Sequence, residues 1–255
     1  MIKDEKNNMK PVITPSIGIF VSSTAETTRE WIYREVLRYF PESVFGLTRM
    51  IHIDSSWEES IFVPPSGDPS LDEKRMNPGS FFGLSDETVD LAGQIEEGKF
   101  PQLRFAPLRL MELGSAKTGA RNAPALGRIL FLWNQTELKN FLSEQVLGVL
   151  RNQEQVRAIE ADFEVARVDI CAYIVWSPGG TGSGIATGCA SLIREISEDL
   201  NLPITIAGIK LRPGAFKSSS DWRLSANAYA NDMELYAIQS GRLIQVESVM
   251  GERED

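Results

Sequence analysis

The chain has 255 residues, 42% of them hydrophobic and 24% charged, the balance of a folded protein rather than a disordered one. A net charge of −9, from 26 Lys and Arg against 35 Asp and Glu, argues against nucleic acid as a partner, because grooves that neutralise phosphates are basic. Two cysteines and one histidine are too few for a disulfide framework or a zinc site, and no apolar run suits a membrane span or a signal peptide. A soluble, cytoplasmic protein is expected.

Residues 1–11 read as a polar tail. A strand is predicted over Ile13–Val21, weakened in its first half by Pro15. In the following SSTAETTREWIYREVLRYF, Ser23 and Glu26 have capping-box spacing, and Ile32, Val36, Tyr39 and Phe40 share a helical face. Pro41 stops that helix, and a second strand over Thr48–Ile53 leads into Asp54. Residues 55–85 are dominated by Pro, Gly, Ser and Asp and read as a long surface insertion. A short helix is expected near Asp86–Glu97.

Further on, GARNAPALGR begins as a loop and enters a helix near Pro124, and Thr136 reads as the cap of another helical segment. Leu138, Phe141, Leu142, Gln145 and Val149 then recur at helical spacing. ARVDICAYIVW is a short continuous apolar strand, as expected where helices cover both faces of a sheet. After SPGGTGSG, the residues Ile185, Cys189, Leu192, Ile193, Ile196 and Leu200 trace one apolar helical stripe, and ITIAGIKL reads as the next strand. Strand–helix–strand units at both ends predict an α/β domain over residues 12–240, doubly wound on a mostly parallel sheet, with 241–255 as a tail. Ligands in such sheets bind at the carboxyl ends of strands, where Asp54, Gly119–Arg121, SPGGTGSG and RPGAF all fall.

The run Gly179–Gly184 places successive glycines between a buried strand and a helix. Glycine permits φ > 0 and a close approach of backbone to ligand, and the amides of Gly180, Thr181, Gly182, Ser183 and Gly184 would face one concavity at the positive end of the helix dipole. Thr181 and Ser183 add hydroxyl donors, so the arrangement suits a di- or triphosphate. A tight strand-to-helix connection would use glycines too, merely for packing. The spacing is not G-x-G-x-x-G, and GSAKTG is not a Walker A loop because Ala116 precedes Lys117. Gly182→Arg is expected to fill the concavity while leaving the fold intact.

GGTGSG at Gly179–Gly184 resembles the phosphate loop of the tubulin/FtsZ superfamily. GARNAPALGR at Gly119–Arg128 is similar to a second phosphate loop, HIDSS occupies the place of an Asp-containing loop, and LPITIAGIKLRPGAF with NAYANDMEL is similar to the sugar-side region of large bacterial tubulin-like proteins. The resemblance implies a tubulin/FtsZ-like domain that binds GTP or GDP between head-to-tail subunits, as in cytoskeletal filaments. Gly179, Gly180, Thr181, Gly182, Ser183 and Gly184 would then cradle the phosphates. Gly119, Ala120, Arg121 and Asn122 would close on the γ-phosphate side, and Asp54 would act near a Mg2+ carried by the nucleotide. A strand-end Asp capping a turn is the alternative reading of Asp54.

Three departures from that family pattern matter. Val21, Ser22 and Ser23 stand where small glycines usually approach the nucleotide, so Ser22 and Ser23 would donate through hydroxyls, or the loop has lost its role. Pro178 replaces the leading glycine of the phosphate loop and removes one N–H. Finally, the C-terminal half that carries the family's catalytic loop is not found, which predicts slow or absent GTP hydrolysis by this chain alone. Self-association, or a partner supplying that half, is expected. Two rival readings remain: a tubulin-like scaffold serving as a protein-interaction module without nucleotide, and an oxidoreductase, which IGIFVSSTAE does not support. Trp31, Trp133, Trp176 and Cys189 read as packing, His52 as structural, and Glu195, Glu198 and Asp199 as a solvated helix face.

Overall fold

The structure is a computed structural model. It describes residues 10, 12–56, 81–84, 97, 120, 124–151, 156–157, 159–160, 163–165 and 170–211. Pro15 splits the first strand expected from the sequence. Its halves join different sheets: β1 (Val12–Ile13) pairs in parallel with β5 (Glu164–Val165), and β2 (Ser16–Val21) enters the main sheet. That sheet also contains β3 (Thr48–Asp54), β4 (Phe81–Gly83), β6 (Ile170–Trp176) and β7 (Ile204–Lys210). Its order is β4-β3-β2-β6-β7 and every pairing is parallel. The chain winds outward in both directions from β2 and β6, so the switch point lies between the ends of these two strands.

On one face pack α2 (Pro124–Trp133), α3 (Gln135–Arg151) and α4 (Gly180–Asp199). Ile17, Ile19, Val21, Ile51, Ile53 and Ile174 point toward them and meet Leu138, Leu142, Val146, Ile185, Leu192 and Ile193 in the main core. α1 (Ser23–Tyr39) lies on the other face over Phe20, Met50 and Val175. The α/β, doubly wound, mostly parallel architecture expected from the sequence is therefore present.

Several local expectations change. β4 lies inside the segment read as a loop and extends the sheet by pairing with His52–Asp54. The capping box does not form: Ser22 precedes α1, makes no side-chain cap bond, and Glu26 turns inward. α1 buries Ala25, Glu26, Arg29, Glu30, Tyr33 and Arg34, while Tyr39 and Trp31 are exposed at 73% and 54%. Charges lie on this face because they pair: Arg29 Nη2 is 2.5 Å from Glu26 Oε1 and 3.3 Å from Glu30 Oε1. β6 is covered on its α4 side, yet on the α1 side Tyr173 is exposed. Thr136 lies inside α3, not at its cap. The expected helix near Asp86–Glu97 falls almost wholly outside the described residues.

Candidate functional site

Val21 and Trp176 are register partners on adjacent strands, so the residues after them, Ser22 and Ser177, emerge side by side at the switch point. Their hydroxyl oxygens lie 2.6 Å apart, and both residues are buried. Ser22 has φ 99° and ψ 159°, a backbone region that is normally reserved for glycine. Its amide donates to the Ile53 carbonyl at 2.9 Å, which ties the end of β2 to β3. Ser23 points outward and is exposed, so it adds nothing to this cluster.

β3 ends one strand away. Alternation along it sends Ile51 and Ile53 to the main core and His52 and Asp54 to the opposite face. Asp54 Oδ1 accepts from Ser55 Oγ and the Ser56 amide, each at 3.3 Å, and from Thr181 Oγ1 at 3.5 Å. Ser55 Oγ and Thr181 Oγ1 are themselves 2.6 Å apart, and the Ala120 amide donates to Ser55 Oγ at 2.7 Å. Three segments thus meet on one pair of hydroxyls. Burial pushes the Asp54 carboxyl upward, but the His52 imidazole and the Ser56 and Ser55 amides outweigh it and hold the group below the ordinary carboxylate value.

The third component is the start of α4. Gly179 is extended, the helix begins at Gly180, and the Ser183 amide makes the first helical bond, to the Gly179 carbonyl at 3.2 Å. Gly179 donates its own N–H to Ser183 Oγ at 3.3 Å. The amides of Gly180, Thr181 and Gly182 precede the helical ladder and meet no acceptor among the described residues, although all three residues are buried. Amides left open in this way among the described residues, at the positive end of a twenty-residue helix, suit an anion.

The glycines have a second role that sequence reasoning weighed only as an alternative. A Cβ on Gly182 would overlap the Ser177 carbonyl oxygen, and one on Gly184 would overlap the Pro124 carbonyl. Gly127 and Gly188 are equally confined, against the Gly180 carbonyl and the Phe131 ring. α2 and α4 are therefore packed backbone to backbone. The expectation that Gly182→Arg leaves the fold intact is corrected: its Cβ alone would already overlap the Ser177 carbonyl.

Ser22, Asp54, Ala120 and the Gly179–Gly184 run are thus brought close together at the carboxyl end of the sheet by the Ser22–Ser177, Asp54–Thr181, Ala120–Ser55 and Gly179–Ser183 contacts. Gly119, Arg121 and Asn122 lie outside the described residues. Sequence reasoning missed Ser55 and Ser177, although each directly follows a strand end already singled out. Cys189 is fully buried in the main core, and burial pushes its thiol up to about 12, so it serves packing. Among the described residues no group of three His, Cys, Asp or Glu side chains could hold a metal ion by itself.

A sequence model of the family described as tubulin-like matches residues 23–252. The chain belongs to that tubulin-like family, and the doubly wound, mostly parallel α/β architecture expected of it is the one seen here. Comparison with curated proteins and with solved structures gave no match. Among the described residues no helix is long and apolar enough to cross a membrane.

Proposed function

We propose that this chain is a guanine-nucleotide-binding domain whose phosphates rest on the first turn of α4. The carrying observation is the set of amides at the buried residues Gly180, Thr181 and Gly182 that meet no acceptor among the described residues. Ser22, Ser55, Ser177 and Thr181 add hydroxyl donors that now satisfy one another in pairs and can exchange partners for phosphate oxygens. Asp54 sharpens the reading. A carboxylate held ionised beside an anion site repels a bare phosphate, so the ligand it suits brings a cation, as a Mg2+-bound nucleotide does. That cation would supply charge neutralisation, while Asp54 and the hydroxyls would orient it. The preference for guanine over adenine rests on family membership.

In the same reading the domain acts in the cytoplasm, in filament or complex assembly through self-association or a partner. Hydrolysis by the chain alone is slow or absent. Asp54 is the carboxylate that meets the loop among the described residues, and it is engaged by Ser55, Ser56, Thr181 and His52 rather than free to activate water.

Calorimetric titration with GTP, ATP and NAD in turn, each with Mg2+, tests the proposal. Selective binding of GTP in the micromolar range is expected. Silence toward all three overturns it, and would favour a nucleotide-free scaffold.

A further inference from the structure

The one histidine of the chain lies directly behind the candidate site. His52 is 1% exposed, on the same strand face as Asp54. Its Nε2 lies 3.6 Å from Asp54 Oδ2 and its Nδ1 lies 3.4 Å from Glu26 Oε2 on α1. The Phe81 ring of β4 packs beside it, with centroids 5.2 Å apart. Beyond Glu26 the contacts continue to Arg29 and Glu30 inside the same helix. The ring is thus wedged between a helix and an edge strand, with one nitrogen toward each carboxylate.

We propose that His52 is a positioning residue for Asp54: it fixes the carboxylate from behind through Oδ2, so that Oδ1 faces the Ser55–Thr181 hydroxyl pair and the cation of a bound nucleotide. This inference rests on the reading of the site as a Mg2+–nucleotide site. An Asp side chain has two torsions, and contacts to Oδ1 alone leave it free to exchange hydroxyl partners when phosphates enter. A second contact on the opposite oxygen, made by a ring that packing holds still, removes that freedom. Groups that orient a cation-facing carboxylate in this way commonly contribute tenfold or more to metal affinity.

Two replacements separate this role from a structural one, because both remain polar and differ in reach. In His52→Asn the amide stands near the former Nδ1 and still meets Glu26, but falls short of Asp54. In His52→Gln the amide nitrogen reaches the former Nε2 position and meets Asp54. GTP binding is titrated across Mg2+ concentrations and also in EDTA, for wild type, H52N, H52Q and D54N. H52N is expected to need about tenfold more Mg2+ for the same affinity, as D54N does, with its affinity in EDTA unchanged, whereas H52Q keeps the wild-type Mg2+ dependence.

Equal losses with Mg2+ and in EDTA, or no loss in H52N, overturn the proposal while leaving the nucleotide reading standing. Wild type that ignores GTP overturns both. Should H52N fold too poorly to titrate, the ring 15N signals of the single histidine decide instead. They are expected to move on adding Mg2+ and GTP to wild type and to stay fixed in D54N, and an unmoved wild-type signal overturns the proposal.

Discussion

Two helices start side by side at the switch point, one after β2 on serines and one after β6 on glycines. Sequence reasoning assigns backbone freedom to the glycines and doubts the serine loop. The backbone reverses this. Gly179 is extended at φ 161°, and Gly182 and Gly184 lie within the helix, whereas Ser22 occupies the glycine-like region at φ 99°. The glycines are needed for their missing Cβ atoms, which let α4 sit against Ser177 and α2. The serine loop has the shape that a glycine would adopt, and Ser22 adds a hydroxyl contact to Ser177. A serine loop can thus hold the backbone shape expected of a glycine loop.

The largest break in that comparison comes from adding one methyl group to the glycine side. Gly182→Ala would drive a Cβ into the Ser177 carbonyl, which is backbone and cannot swing aside. A loss of about 3 kcal/mol is expected in urea denaturation, the upper part of the usual overpacking range. Gly148→Ala is the control. It lies within α3, where a Cβ would make ordinary contact with the Arg49 guanidinium 3.5 Å away. That change should stabilise by about 0.5–1 kcal/mol through helix propensity alone. If the two alanines behave alike, close packing does not explain the loop.

The elements that carry periodic or continuous apolar patterns were legible. The predicted limits of β3, α1 and β7 agree with the structure to within a residue or two. β6 (Ile170–Trp176) lies inside the predicted ARVDICAYIVW, and α4 opens at Gly180, five residues before the Ile185 at which the apolar stripe begins. Asp54 and the glycine run were legible as site components because strand ends in a wound sheet converge. β4 was not: three residues after a Pro- and Gly-rich stretch carry no periodic signal, and their strand state depends on β3 beside them. The buried charges of α1 were hidden for a related reason. Glu26, Arg29 and Glu30 are charged residues that sequence places outside a core, and only the structure shows Arg29 paired with one oxygen of each carboxylate out of water. The Ser55–Thr181 bond joins residues 126 positions apart, and no local pattern encodes it.

Asp54 is the link between the two helix starts, touching Thr181 at one and, through His52 and Glu26, α1 at the other. Its folded value lies below the 3.8 of a free side chain. The native state therefore binds this proton less readily than the unfolded chain does. The resulting stabilisation is complete above that value and is lost as the pH falls through the lower folded one. Asp54→Asn should destabilise by about 2 kcal/mol at neutral pH, the scale of a charge-assisted hydrogen bond in a nearly buried setting. The wild-type and variant curves should converge on acidification. A gap that stays constant down to the acid limb would mean that the carboxylate charge does not join the two helix starts.

Ser22 offers the smallest effect and the finest test, because two replacements separate its backbone from its side chain. Ser22→Ala keeps the strained φ and removes the hydroxyl bond to Ser177, so a loss of about 1–2 kcal/mol is expected. Ser22→Gly removes the same bond but also relieves a backbone strain of about 1–3 kcal/mol, leaving stability near or slightly above that of wild type. Glycine more stable than alanine is the required order, whereas at an unstrained buried position the greater chain entropy of glycine reverses it. Thermal melts of the two variants, compared at one pH, read this order directly. Alanine equal to or above glycine would mean that the first loop does not hold a glycine conformation, and the parallel between the two helix starts would fail at its serine side.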